Sequence, residues 1–306
     1  MTNEDSCTGF PRESAADMLP TMNNDRKKRP RIAVVGAGKL GTALAVSLHA
    51  AGYAISEIVS RNRKSSERKA MVLSKRVGGS VARGGKATLR ADVVWFCVPD
   101  NEIAEAARGL AGGNWMGRIA VHSSGALTSD VLDVLRGRGA QVVSAHPMMT
   151  FVEGITPALK GVGFAIEGER KAVAVVKRIV RRLGGETFAI AKKDKALYHA
   201  WGTFLSPLLT SLLAAGEGVA IHAGVTSRMA RRWMLPIVRQ TIENYVRQGG
   251  ERGFSGPIVR GDAVTVRKHL QVLEKHPARD VYVALARSAL RTLPARNARH
   301  LKSLLR

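Results

Sequence analysis

A glycine-rich loop near the start of the chain has the residue pattern of a phosphate-binding turn. It directly follows the apolar run 32–35 and opens a segment with apolar residues at helical spacing, the context that such a loop needs. The first glycine would permit a tight turn, the second would let a pyrophosphate approach the backbone, and the third would allow close helix–strand packing. Amides at the helix N-terminus would hold the phosphates. The predicted dinucleotide loop consists of Gly36, Ala37, Gly38, Lys39, Leu40 and Gly41.

The residues that end the second predicted strand indicate which dinucleotide would bind. Domains that prefer NAD place a carboxylate there, about twenty residues after the glycines, to hold the ribose 2′-hydroxyl. This chain has Ser60, Arg61, Asn62 and Arg63 instead. Arginine pairs well with phosphate oxygens, so a hydroxyl and two guanidinium groups in this segment predict a 2′-phosphate contact, with Ser60, Arg61 and Asn62 as cofactor residues, and NADP rather than NAD. A solvated loop in an arginine-rich chain is the alternative.

Polar residues at two further strand ends are candidates for the reacting centre. Ligands of open α/β sheets lie beyond the carboxyl ends of the strands, and Ser123, Ser124 and His146 are expected at those ends. The two serines could contact the nicotinamide ribose or the substrate, with Ser123 as a catalytic hydroxyl, and His146 could contact substrate. The alternative is that the serines satisfy a local turn and that His146, before Pro147, is a polar hinge.

The second half of the chain adds two more candidate groups. Lys195 and His199 are four residues apart at the start of a long predicted helix, so they share a face, with Tyr198 beside them. Arg260, on a Gly/Pro-rich loop, could anchor a substrate carboxylate or phosphate, or pair with Asp262, which is the expected N-cap of the next helix. For Lys195 and His199, the alternative is a lysine on the surface and a histidine that packs between helices.

Alternating apolar strands and amphipathic helices position these residues. Short apolar runs such as 32–35 and 93–98 are typical of strands buried in a parallel sheet, and repeated β-α units predict a doubly wound, mostly parallel Rossmann-type sheet. Only helices are predicted after it, so the fold class is α/β followed by an all-α domain. The expected divisions are a disordered tail at 1–30, a dinucleotide domain at 31–192 and a helical substrate or dimerisation domain at 193–306.

Composition limits the remaining classes of function. The chain has 306 residues, two cysteines and a formal charge of +24, with its basic residues spread out and no nucleic-acid motif. We therefore expect nonspecific anion affinity but no specific nucleic-acid partner, and neither a disulfide framework nor a metal site. The apolar run 204–215 is too short and too polar for a bilayer about 30 Å thick. A cytoplasmic chain is expected.

Apolar side chains on the predicted helices exceed what a small helical layer hides, which predicts a homodimer. They are Trp201, Phe204, Leu205, Leu208, Leu212 and Trp233.

Together these motifs make residues 31–273 resemble a bacterial family of NADP oxidoreductase-like proteins. That family joins a Rossmann-like domain to a C-terminal helical domain of unknown function. More distantly, the layout is similar to pyrroline-5-carboxylate reductases, β-hydroxyacid dehydrogenases and prephenate dehydrogenases. The resemblance is carried by the glycine loop, Val98-Pro99-Asp100, residues 122–126, residues 146–151, Lys195-x-x-Tyr198-His199-Ala200, and residues 256–262.

The resemblance implies an oxidoreductase that uses NADP to transfer hydride to or from a small anionic or amino-acid-like substrate. Val98 and Pro99 would then line the cofactor site, together with Ser124. By likeness to β-hydroxyacid dehydrogenases, Lys195 would be the acid/base and His199 would orient substrate or relay the proton. Such proteins often have an Asn where this chain has Pro207. A catalytically inactive NADP-binding regulator or scaffold is the alternative function.

Overall fold

The computed structural model describes residues 29–61 and 63–306. The chain divides into two compact units, Met1–Ile190 and Ala191–Arg306, which we call the sheet unit and the helical unit. The division lies close to residue 192, where the sequence changes from alternating strands and helices to helices alone. The expected tail falls almost wholly outside the described residues, and Asn62 also lies outside them.

One eight-stranded sheet organises the sheet unit, in the order β3-β2-β1-β4-β5-β6-β7-β8. Every neighbouring pair is parallel except β6 and β7, which are antiparallel. The strand order reverses between β1 and β4, and a crevice at such a reversal is where open α/β sheets bind ligands. The strands are β1 Ile32–Val35, β2 Ile55–Ser60, β3 Ser80–Arg83, β4 Val93–Phe96, β5 Ile119–His122, β6 Gln141–Pro147, β7 Gly163–Gly168 and β8 Glu186–Ala189.

Helices cover both faces of this sheet. Leu44, Leu73 and Val176 bring α1, α2 and α5 onto one face, while Ile103 and Leu135 bring α3 and α4 onto the other. The structure therefore confirms the predicted doubly wound, mostly parallel α/β class. The helices are α1 Lys39–Ala50, α2 Lys64–Val77, α3 Asp100–Leu110, α4 Asp133–Arg136 and α5 Arg170–Arg182.

The repeated β-α units predict a helix between β5 and β6, and only the last part of that segment is α-helical. The segment 128–135 forms a 3₁₀ turn at Ser129–Leu132 before α4 begins. The buried carboxylate of Glu167 accepts hydrogen bonds from the Ser129 backbone N (2.6 Å) and from Ser129 Oγ (2.8 Å). This contact from a distant strand fixes the start of the turn, and the local pattern could not reveal it.

The helical unit contains only helices among its described elements. A buried cluster formed by Val266, Ala286, Leu290, Leu301 and Leu305 holds its C-terminal part together. Its first two helices are joined by a π-helical segment, Phe204–Leu208, which contains Pro207. The helices are α6 Lys195–Thr203, α7 Leu209–His222, α8 Ser227–Gly253, α9 Pro257–Arg260, α10 Ala263–Val272, α11 Ala278–Thr292 and α12 Ala298–Leu304.

Much of the first part of the helical unit exposes apolar side chains. Trp201, Phe204 and Trp233 are each more than half exposed. The helical stretch Lys192–His222, which runs through the π segment, is 31 residues long and, by length and composition alone, is apolar enough to cross a membrane. It is thus longer than the run 204–215 that the sequence singles out.

Candidate functional site

The glycine loop packs tightly against the end of β4. Gly36 has a φ of +98°, and a Cβ there would lie 2.8 Å from the Cys97 carbonyl oxygen. A Cβ on Gly41 would lie 1.9 Å from the Gly36 carbonyl oxygen. A Cβ on Gly38, by contrast, would meet no atom within 4 Å. Two of the glycines are therefore required by packing, and the third faces open space.

The glycine loop leads into α1, and no side chain caps the N-terminus of this helix. Gly38 is the N-cap residue of α1. Amides in the first turn of a helix have no partner within the helix, and the helix dipole adds partial positive charge at this end. This end of α1 can therefore receive an anion such as a pyrophosphate.

A cavity of about 600 Å³ lies against the loop, within the sheet unit. Its size is typical of small-molecule and cofactor sites. It is bounded by the ends of β1, β2 and β4, by the start of α2 and by α3. The lining residues used below are Gly36, Gly38, Ser60, Arg61, Arg63, Ser65, Ser66, Lys69, Val98, Pro99 and Glu102.

The end of β2 brings cations and hydroxyl groups into this cavity. Arg61 and Arg63 both line it, while Ser60 is buried and its Oγ donates to the Ala82 carbonyl oxygen (3.4 Å). Ser65 and Ser66 lie in the first turn of α2, which also lacks a side-chain cap. No carboxylate follows β2 at the position where NAD-binding domains carry one.

Two residues with carboxylates, Glu102 and Glu105, line the cavity from α3. Glu102 forms a close ion pair with Arg61 through Oε1 and Nη1. Its other oxygen, Oε2, is buried and has no hydrogen-bond partner among the described residues. Sequence reasoning missed Glu102, because nothing local links a residue on α3 to one at the end of β2.

Of the three further residues expected at the cofactor, Val98 and Pro99 lie at the cavity and Ser124 does not. The Oγ of Ser124 donates to Asp100 Oδ2 (2.6 Å) and accepts from the backbone N atoms of Ala126 (3.2 Å) and Leu127 (2.9 Å). These hydrogen bonds hold the turn after β5 against the start of α3.

Ser123 and His146 also lie away from the cavity lining. Ser123 Oγ accepts a hydrogen bond from Trp95 Nε1 (2.8 Å), and the serine is buried. His146 does not follow β6 but lies within it, paired with Ala165 of β7. The antiparallel pairing with β7 extends β6 to Pro147, and nothing in the residues of β6 predicts that partner.

Lys195 and Tyr198 are buried near the start of α6, whereas His199 is exposed. Lys195 is the first residue of α6, and burial raises the pKa of Tyr198 to about 12. The Tyr198 ring meets the Trp201 ring edge-on, with centroids 6.1 Å apart. The lysine and the histidine therefore differ in exposure although their spacing places them on one side of the helix.

Arg260 and Asp262 lie at the α9–α10 junction. Asp262 caps α10 as predicted: Oδ1 accepts from the Thr265 backbone N (3.0 Å) and Oδ2 from Thr265 Oγ1 (2.7 Å). These hydrogen bonds, with a smaller contribution from the charge of Arg260, hold the Asp262 pKa below its usual value. Arg260 is exposed at the end of α9.

Protein-family models match both halves of the chain. Residues 17–147 match the profile of a Rossmann-like domain, and residues 162–289 match a domain of unknown function, DUF2520. The chain is a Rossmann-like protein with a DUF2520 domain. This agrees with the resemblance drawn from its motifs. No curated protein matches the chain significantly in sequence.

Solved structures share this two-part fold. A candidate NADP oxidoreductase from Bacteroides fragilis superposes with a TM-score of 0.73 at 22% identity, covering 85% of this chain and 97% of its own. A reductive aminase from Aspergillus terreus, in complex with NADPH and ethyl-5-oxohexanoate, gives 0.61 at 17%, covering 86% and 94%. A pyrroline-5-carboxylate reductase from Coxiella burnetii gives 0.55 at 16%, covering 90% and 98%. At these identities the likeness shows the fold alone.

Proposed function

We propose that this Rossmann–DUF2520 protein is an NADP-dependent oxidoreductase. The observation that carries the proposal is the cavity beside the glycine loop, which receives Arg61, Arg63 and Lys69 where an NAD-binding domain would carry an acid. The start of α2, which has no side-chain cap, adds amides suited to a 2′-phosphate. The neighbours named for NADP or NADPH support the same cofactor, although another neighbour is described as preferring NADH.

Cofactor choice is tested by titrating the purified protein with NADPH and NADH while following the fluorescence of the reduced nicotinamide. We expect NADPH to bind at least tenfold more tightly, because a 2′-phosphate adds charge-assisted hydrogen bonds worth about 1.4 kcal/mol or more. Binding of NADH at equal or higher affinity would refute the NADP assignment. Binding of neither would refute the dinucleotide site.

The proposed reaction is hydride transfer to or from a small anionic or amino-acid-like substrate. In the reducing direction, hydride adds to the carbon of a C=O or C=N group, and a proton must reach the oxygen or nitrogen. We assign that proton to the Lys195 ammonium group, with His199 orienting substrate or relaying the proton. The proposed substrate contacts are His146 and Arg260.

A panel of ketoacids, imines and aldehydes, with NADPH oxidation followed at the nicotinamide absorbance, tests the reaction. Once a substrate is found, Lys195→Met is expected to lower kcat at least a hundredfold while NADPH binding is retained, since general acids contribute about 10²–10⁴-fold. Full turnover by that variant would refute the role of Lys195. If no panel member is turned over while NADPH binds, the alternative of a cofactor-sensing regulator is favoured.

We further propose that the helical unit, as domain 193–306, mediates a homodimer. Its exposed apolar side chains include Trp201, Phe204 and Trp233, each more than half exposed, and exposed apolar patches often mark interaction surfaces. Covering this surface by a second copy would also keep the apolar stretch Lys192–His222 in an aqueous cytoplasmic protein. Light scattering after gel filtration should give the mass of a dimer. A monomer at micromolar concentration, or recovery only with membranes, would contradict this.

A further inference from the structure

Two residues at the candidate cofactor cavity, Arg61 and Glu102, form an ion pair, and the function proposed above gives no role to Glu102. Arg61 follows the end of β2, and Glu102 lies in the first turn of α3, so the pair joins two of the elements that bound the cavity. Both residues line it. A dinucleotide in this cavity would therefore lie directly against the pair.

Glu102 is suited to hold the arginine in one place. It lies in the first turn of α3, where the helix dipole stabilises a carboxylate. Its side chain is 26% exposed against 47% for Arg61, so the acid is the better anchored partner. The pair thus fixes the guanidinium before any ligand arrives, which lowers the entropy that binding would otherwise cost.

The pair also limits what Arg61 can bind. Part of its N–H edge is directed to Glu102, and a phosphate dianion beside that carboxylate would be repelled. The flat faces of a guanidinium are not used by an ion pair and stack well on aromatic rings. Arg63, by contrast, makes no ion pair among the described residues and lies at the start of α2 beside Ser65 and Ser66.

We propose that Glu102 is a positioning residue that holds Arg61 as a stacking platform for the adenine base, and that Arg63 with the start of α2 receives the 2′-phosphate. This inference rests on the proposed function, because it assumes that the cavity binds a nicotinamide dinucleotide. It gives different roles to Arg61 and Arg63, although their sequence positions predict the same contact with the 2′-phosphate for both. The preference for NADPH, which the proposed function assigns to the basic residues of the cavity together, then rests on Arg63, and Arg61 contributes equally to the binding of NADPH and NADH.

Four variants and two cofactors test this division by fluorescence titration of the full chain, with melting temperature recorded for each. Glu102→Gln should raise the Kd of NADPH and of NADH by the same factor, about tenfold, as expected for weakened base stacking. Arg61→Lys should do the same, because lysine keeps the charge but loses the flat face. Arg63→Ala should raise the Kd of NADPH alone.

Glu67→Gln is the matched control. Glu67 pairs with Arg83 on the same edge of the sheet with similar exposure, 29% and 55%, but Glu67 does not line the cavity. Its removal should leave both Kd values unchanged. This control separates loss of a surface ion pair from loss of the platform.

Three results would overturn the inference. An NADPH-specific loss in Glu102→Gln or Arg61→Lys would assign Arg61 to the phosphate. Unchanged affinities in both variants would show that the pair is an ordinary surface contact. Absence of dinucleotide binding by the unaltered chain would overturn the proposed function and this inference with it, so the two failures are distinguishable.

Discussion

At the scale of single residues, the three glycines of the loop differ in what a side chain would meet. A Cβ at Gly41 would overlap the Gly36 carbonyl oxygen at 1.9 Å, whereas a Cβ at Gly38 would meet nothing within 4 Å and its φ of −76° suits any residue. We predict that Gly38→Ala leaves the melting temperature within about 2 °C of the original protein. It should nevertheless weaken NADPH binding at least tenfold, because the methyl group occupies the space of the pyrophosphate.

Gly41→Ala provides the contrast. It should lower the melting temperature by several degrees or more, since backbone must move to admit the methyl group. Thermal unfolding by circular dichroism and NADPH titration on both variants separate the two effects. Normal NADPH affinity in Gly38→Ala would show that the open space is not the phosphate site.

Single residues also show which site contacts can be predicted from the sequence and which cannot. Gly36, Ala37 and Gly38 line the cavity, and their position is predictable because the glycine motif follows a strand end, whereas Lys39, Leu40 and Gly41 do not line it. Val98 and Pro99, which the family resemblance implies, also line it. The partner of Ser123 was not predictable: the Trp95 indole reaches it from a neighbouring strand. Glu102 was missed for the same reason, since its contact with Arg61 spans 41 residues.

At the scale of elements, α10 depends on its N-cap residue, Asp262. Asp262 accepts two hydrogen bonds from Thr265, which hold its pKa below the usual value. A carboxyl whose folded pKa is lowered stabilises the fold above its unfolded pKa, and the contribution is lost as pH falls through the folded pKa. We predict that Asp262→Ala lowers the melting temperature by ~2–4 °C at pH 7, and by less in acid where the carboxyl is protonated in both states.

The control for this prediction is Asp280→Ala. Asp280 lies in the first turn of α11 but caps no helix. Its removal should cost less than removal of Asp262 at pH 7. Equal effects of the two variants, or a loss for Asp262→Ala that does not shrink toward acid pH, would contradict the capping role.

The strands also differ in how clearly their own residues predict them. β4 is a continuous apolar run with every residue buried, so it was evident. β3 is a half-exposed strand at the sheet edge, and its residues show no apolar alternation from which the sequence could predict it. The length of β6 was set by its antiparallel partner β7 rather than by its own residues. Tertiary pairing decides such cases.

At the scale of the whole molecule, the formal charge of +24 is concentrated in part on one helix. Every charged residue of α5 is basic, and none of them forms an ion pair with an acid in the described part of the chain. Arg178 and Arg182 also lie near Tyr53, close to Arg29. The apolar side of α5 packs on the sheet, and the rest of the helix carries six basic residues and no aromatic residue for base stacking.

Such a surface should attract phosphate backbones without regard to sequence. We predict that the protein is retained on a heparin or duplex DNA column, and that log affinity falls linearly with log salt as counterions are released. Replacing Arg178, Arg181 and Arg182 by Gln should move elution to clearly lower salt. Replacing Arg291, Arg299 and Lys302 by Gln removes the same charge from the helical unit and should move it less. Equal shifts would show that net charge alone governs retention. An effect of NADPH on elution would show that the column binds at the cofactor cavity and not at α5.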